Sequence, residues 1–255
     1  MIRQIRVELL KIRTTRLGYG LLAAAAGITI MFAVLNGTQG SALDTASGLT
    51  TQVTVGVWAI LLAGIFGVTV SSGEFRHGTA TLTYLAQPRR TTVLAAKALA
   101  AACGGAVFGL AGGVLAAGTG LIFVAVRGEH LTLGAGTIAA DLAGYLLAAA
   151  LLAAVGSAVG SLIRSQLAAV VGVFVWAVVI ESVLGGLYPA ARPYLPYAAA
   201  TTLSGARVGY STFGPAHGAG GSAPLPFAAA AALVAGVAVL IAAVAARTTV
   251  RRDVS

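Results

Sequence analysis

The chain has 255 residues, of which 58% are hydrophobic and only 9% are charged. The surface of a soluble globular protein usually carries about a quarter charged residues, so this composition excludes an ordinary soluble domain. The 16 Lys and Arg residues against 7 Asp and Glu give a net charge of +9. These basic residues are not interleaved with aromatic residues on one face, so we expect no nucleic-acid partner.

Residues 1–16 have the pattern of an amphipathic helix. Ile5 and Leu9 belong to an apolar series at helical spacing, and Arg6 and Arg13 belong to a basic series on the neighbouring face. The basic stretch is too long for a secretory signal peptide. We therefore predict an interfacial helix that leads into the first membrane span.

Six apolar segments follow, each at or near the length of about 20 residues that spans a hydrocarbon core. They cover residues 17–35, 53–70, 98–126, 134–163, 167–187 and 227–246. The third and fourth exceed the minimum spanning length, which implies tilt or projection beyond the bilayer. The sequence therefore predicts an all-α, polytopic membrane protein, with a six-helix transmembrane domain over residues 17–246 and a tail at 247–255.

The basic residues predict the orientation of this domain. Threading the chain back and forth places 13 of the 16 Lys and Arg on one side of the membrane. These are Arg3, Arg6, Lys11, Arg13, Arg16, Arg76, Arg89, Arg90, Lys97, Arg164, Arg247, Arg251 and Arg252. Because loops rich in Lys and Arg stay in the cytoplasm, both termini are predicted to be cytoplasmic, with the basic side chains facing anionic lipid of the inner membrane.

Small residues within the spans predict where helices pack closely. Gly105, Gly109 and Gly113 repeat at every fourth position, and Gly156 and Gly160 do so in the next segment. Such spacing lets two helix backbones approach each other.

Two acidic residues fall within the apolar segments. Glu181 lies well inside the fifth segment and Asp141 lies near the start of the fourth, both in the predicted outer leaflet. A charge at this depth usually pairs, becomes neutral or lines a wet cavity. Both are therefore candidate residues of a transport pathway. The alternative is a structural contact, with Arg192 or Arg207 as the expected partner, or simple exposure at the interface.

The most specific stretch is the predicted cytoplasmic loop 73–97, with the sequence GEFRHGTATLTYLAQPRRTTVLAAK. Gly78 permits a sharp turn, Leu82 and Leu85 share one face of a short helix, and Pro88 ends it. The alternating threonines of the same stretch also fit a strand. Either element is a short structure, bounded by charges, that a cytoplasmic partner could bind.

This loop resembles that of type-two ABC transporter permeases. The matching residues are Glu74, Gly78, Thr79, Leu82, Leu85, Pro88, Arg90 and Lys97. At Arg76 many members of that family carry a second acid, so the local charge pairing departs from theirs. The stretch ELLKIRTTR at residues 8–16 also resembles the opening of these permeases, and the predicted topology is similar.

The resemblance implies a permease subunit whose loop binds a separate ABC ATPase subunit, and which pairs with a second permease as a homodimer or heterodimer. It favours export as the direction of transport. ATP and magnesium would be bound by the partner, since this chain has no GxxxxGK[ST] phosphate-binding loop and is not expected to be an enzyme. The rival hypotheses are a secondary transporter and a membrane anchor or scaffold that works without ATP.

The remaining features are the outer loop and the candidate metal ligands. The loop at 188–226 is rich in Pro, Gly, Ala and Tyr, and one or two short helices are predicted in its first part. The resemblance implies that these helices dip back into the outer membrane, whereas the sequence alone also fits an ordinary surface loop. Cys103 is a single cysteine, and the three histidines are scattered. No metal-ligand spacing results, so no metal site is predicted.

Overall fold

The computed structural model describes residues 2–38, 55–76, 90–128, 134–163, 165–205, 210–211, 214–215 and 223–248, and this part of the chain is almost entirely helical. The helices are α1 (Ile2–Thr14), α2 (Arg16–Thr38), α3 (Val57–Arg76), α4 (Arg90–Arg127), α5 (Ala135–Leu162), α6 (Gln166–Val175), α7 (Glu181–Leu187), α8 (Pro196–Leu203) and α9 (Phe227–Arg247). A π-helical turn, Trp176–Ile180, joins α6 to α7, and a 3₁₀ helix, Pro189–Tyr194, precedes α8.

Within these described ranges, five helical segments are long and apolar enough to cross a membrane. They are α2, α4, α5, α9 and the continuous run of α6, the π turn and α7. Helix α3 has a shorter described apolar stretch, Val57–Gly73. An all-α architecture with several membrane-spanning helices is therefore confirmed, whereas the sixth span and the orientation stay predictions.

Contacts between helix ends show how the helices alternate in direction. The guanidinium of Arg127, at the end of α4, donates a hydrogen bond to the carbonyl of Gly37, at the end of α2. Near the start of α4, the Lys97 ammonium contacts Glu8 of α1. We call the end of the bundle that holds α1 the basic end, and the end that holds α8 the cap end. The basic end corresponds to the predicted cytoplasmic face.

Helix α5 is the central element of the bundle. It packs against α3, α4 and α9, and α8 lies across its first turns. Alanine residues account for many of its buried positions, including Ala148, Ala149 and Ala153, which are fully buried. Side chains this small let several helices reach the α5 backbone at once, as in other membrane bundles where dispersion rather than the hydrophobic effect holds helices together.

The predicted glycine stripe of α4 faces α5. A Cβ atom added at Gly105 would lie 2.6 Å from the carbonyl oxygen of Ala149, and one at Gly113 would lie 2.9 Å from Leu142. Gly160 of α5 meets α3 in the same way, with an added Cβ at 3.1 Å from the Cα atom of Val68. Two faces of α5 are therefore in near backbone contact with neighbouring helices.

The long loop after α7 contains the two short helices that were predicted there, Pro189–Tyr194 and α8. Beyond them, β1 (Tyr210–Ser211) pairs antiparallel with β2 (Gly214–Pro215). A dip of this loop into the membrane stays a prediction.

We expect Gly109→Ala to lower the free energy of unfolding by about 1–3 kcal/mol, as overpacked cores do. The added methyl group would lie 2.7 Å from the carbonyl carbon of Tyr145 and 2.8 Å from the Cβ atom of Ala149. The matched control in the same helix is Gly118→Ala, because an added Cβ there meets nothing within 4 Å. Unfolding of the purified protein in mixed micelles measures both, and equal stability of the two variants would contradict the packing described.

Candidate functional site

The candidate site is the segment between α3 and α4 at the basic end. Helix α3 continues through Arg76 and α4 starts at Arg90, so both helices extend into the predicted loop 73–97. Residues 77–89, which lie between them, are outside the described residues.

The predicted coupling residues divide into two groups. Glu74 and Arg76 lie on the last turn of α3, and Arg90 is the first residue of α4. The structure describes only the backbone of these three. The others lie outside the described residues, and these are Gly78, Thr79, Leu82, Leu85 and Pro88. Their role in coupling stays a prediction.

The α3 side of this segment is fixed by buried hydroxyl groups. The Ser71 and Ser157 hydroxyl oxygens are 2.7 Å apart and share a hydrogen bond between α3 and α5. The Ser72 hydroxyl donates to the carbonyl of Val68 at 2.7 Å, and that of Ser161 donates to the carbonyl of Ser157 at 2.9 Å. Buried polar groups that are all paired favour a single arrangement of the helices that carry them. The end of α3 is therefore fixed against α5.

The α4 side is fixed by a buried ion pair. Lys97 Nζ donates to Glu8 Oε2 at 3.4 Å, and Lys11 Nζ donates to Glu8 Oε1 at 2.9 Å. The side chains of Glu8 and Lys97 are 3% and 5% exposed, whereas that of Lys11 is 44% exposed. Charges this deeply buried are stable only when they are paired. The pair therefore docks α1 onto the first turns of α4.

This docking differs from what the sequence suggests for Lys97. As a basic residue before an apolar segment, Lys97 resembles a headgroup anchor, yet its ammonium is buried against α1. Glu8 and Lys97 are 89 residues apart, so no local spacing reveals the pair. One signal in the sequence is that Glu8 interrupts the apolar face of α1, between Ile5 and Leu9, where a charge needs a partner.

At the cap end, Glu181 binds the first turn of α8. Its carboxylate accepts hydrogen bonds from the backbone N–H groups of Tyr197 and Ala198, both at 2.9 Å, and from the Trp176 indole at 3.0 Å. The partner is thus a helix N-terminus, and neither of the two predicted arginines appears among these contacts. Arg192 packs its aliphatic stem beside Gly185, and Arg207 lies outside the described residues. A pathway role for Glu181 stays a prediction.

Asp141 meets the other end of α8. Its side chain is half-buried beside Gly205, where an added Cβ would lie 2.8 Å from the Asp141 Cγ atom. Gly205 has a φ of +76°, which is the left-handed conformation common after a helix C-terminus and readily adopted by glycine. The two candidate pathway acids are therefore placed at opposite ends of one short helix.

Two buried tyrosines complete the contacts of α8. The hydroxyl of Tyr197 donates to the carbonyl of Val57 at 3.2 Å. Burial raises the pKa of this phenol, with the nearby Glu181 charge as the second cause, so it stays protonated and able to donate. Tyr145 of α5 is fully buried and hydrogen-bonded to the Ser204 side chain and the Gly56 backbone.

The chain matches no protein-family model and no curated protein. The proposed function therefore rests on the residues at the two ends of the bundle.

We expect Lys97→Met to loosen α1 by about 2–4 kcal/mol, because it leaves the buried Glu8 carboxylate with one fewer cation. Lys11→Met is the matched control, since it removes the other, more exposed partner and should cost less than about 1 kcal/mol. Amide hydrogen exchange of α1, referenced to α9, measures both. Equal protection of α1 in the two variants would show that the buried pair does not dock this helix.

Proposed function

We propose that the chain is the membrane-spanning permease subunit of an ATP-binding cassette transporter. It exports a substrate across the cytoplasmic membrane with energy from ATP hydrolysed by a separate subunit. The observation that supports this best is the pair of fixed helix ends on either side of residues 77–89. One end is held by the Ser71–Ser157 hydrogen bond and the other by the Glu8–Lys97 ion pair.

This arrangement suits a segment that transmits force. A partner that moves the segment displaces the helices on both sides, provided that their ends do not yield locally. The buried bonds tie α3 to α5 and α4 to α1, so a displacement at the segment reaches four helices. The ATPase subunit binds this segment, with Glu74 as the acidic contact and the stretch from Gly78 to Pro88 as the rigid element.

The sequence is consistent with ATP binding and hydrolysis by a separate subunit. Lys11 and Lys97 are the only lysines, and they follow Leu10 and Ala96 rather than the glycine that a phosphate-binding loop requires. In the structure both lysines contact Glu8. ATP and magnesium are therefore bound by the partner.

A second permease completes the transporter. Large apolar side chains are exposed on several helices, among them Met31 of α2, Val107 of α4 and Phe174 of α6. Lipid covers part of this surface and the second permease covers the rest. The pathway forms between the two permeases and opens alternately to the two sides of the membrane.

The test is to purify the tagged chain from its native host in mild detergent and assay the eluate for ATPase activity. We expect an ATPase to co-purify, and to be lost when residues 78–86 are replaced by a Gly-Ser sequence of equal length. The matched control replaces residues 217–225 in the outer loop in the same way, and should leave the ATPase bound.

Three outcomes would contradict the proposal. Absence of an ATPase under conditions that preserve other membrane complexes favours a secondary transporter or an anchor. Loss of the ATPase from both variants indicates general instability of the chain rather than a docking site. Retention of the ATPase by the 78–86 variant places the docking site elsewhere.

A further inference from the structure

We propose that Glu181 is a positioning residue that latches an outer cap onto the bundle. The outer cap is the 3₁₀ helix Pro189–Tyr194 together with α8. Glu181 holds the N-terminal end of α8 down, while the C-terminal end is held independently by α5. When the latch is released, the cap swings open about its C-terminal end. This inference concerns the cap end of the bundle and does not depend on an ATPase partner.

The first step is that α8 has no capping side chain of its own. Its N-cap residue is Leu195, which has no side-chain oxygen, and its first residue is Pro196, which has no N–H. The next two N–H groups, those of Tyr197 and Ala198, would be unpaired in an apolar setting. Both donate to the Glu181 carboxylate. A residue of another helix therefore replaces the missing cap, and its negative charge faces the positive end of the α8 dipole.

The second step is that the backbone around Glu181 is built to present the carboxylate. The π turn Trp176–Ile180 ends where the Glu181 N–H bonds to the carbonyl of Trp176. This widened turn accompanies the hydrogen bond from the Trp176 indole, five residues away, to Glu181 Oε1. Single π turns within α-helices are uncommon and are frequently found at functional sites. Glu181 itself is only 5% exposed, so its orientation is fixed from both sides.

The third step is that the two ends of α8 are held by different means. Near the N-terminal end, the hydrogen bonds are those to Glu181 and the one from the Tyr197 hydroxyl to Val57, and α8 as a whole also packs against α9. At the C-terminal end, the backbone carbonyl of Leu203 lies directly against Gly144 of α5, so close that an added Cβ would overlap it. Backbone contact of this kind does not depend on charge. Loss of the carboxylate therefore weakens the hold on the N-terminal end and leaves the backbone contact at the other end as the hinge.

The experiment measures how fast a buried thiol under the cap reacts with a membrane-impermeant methanethiosulfonate reagent. Cys103 is exposed and is first replaced by Ala. Ala199→Cys then reports on the cap, because Ala199 is fully buried in α8. Ala158→Cys is made in a second Cys103→Ala background as the control for the rest of the bundle, because Ala158 is a buried position of α5 toward the basic end.

We expect Glu181→Ala to speed labelling at position 199 by at least about tenfold, since hydrogen bonds to a charged group are among the stronger ones in proteins. Glu181→Gln keeps the side-chain volume and one acceptor oxygen, so a rise of about threefold or more is expected. Trp176→Phe is the matched control, because it removes the indole donor and leaves both backbone bonds, and its rate should stay within about twofold of the parent. Labelling at position 158 should not change in any variant.

Two outcomes would overturn the latch. Unchanged labelling at position 199 in the Ala and Gln variants would show that the cap is held without Glu181. A parallel rise at positions 199 and 158 would show that Glu181 supports the whole bundle rather than the cap. If the Ala variant does not assemble, the isosteric Gln variant decides between these results.

Discussion

Close approach of helix backbones at α5 is the constraint on which the other features of this bundle depend. Glycine and alanine on α3, α4 and α5 leave almost no side-chain volume between the helices, as the contacts of Gly105 and Gly160 show. In such a bundle stability comes from dense van der Waals contact, which is lost when helices shift by a fraction of an ångström. The helices therefore move as packed units, and motion is confined to what lies at their ends.

Those ends carry the buried charged side chains of the described residues, Glu8, Lys97 and Glu181, and each of the three is bonded to another element. Glu8 and Lys97 join α1 to α4 at the basic end, and Glu181 joins the π turn to α8 at the cap end. A polar or charged group without water must find a partner in the protein, so each bond specifies one docking position. Because each bond fixes the position of one helix, a partner or a mutation that breaks the bond can change the position of that helix.

The arrangement of the two ends suits the proposed function, in which a partner moves the basic end of the subunit and the pathway opens at the cap end. Under the proposed function, force applied to residues 77–89 would reach α3 and α4, and α5 contacts both of these helices. Helix α5 also contacts α8 at Gly144. A single central helix thus touches the helices at the basic end and the cap at the other.

The sequence by itself determined that this is a membrane protein, because long apolar runs of this kind do not fit a soluble fold. It also placed the helix boundaries to within a few residues, except at the ends of α3 and α4 that face residues 77–89. The glycine stripe of α4 was equally readable, since its period is that of the helix. Only the tertiary structure decided the partners of Glu8, Lys97 and Glu181. Glu8 and Lys97 are 89 residues apart, and Glu181 binds backbone N–H groups, which every residue type except proline offers. Pairing at such separations depends on how the helices pack, and the spacing of residues along the chain does not indicate it.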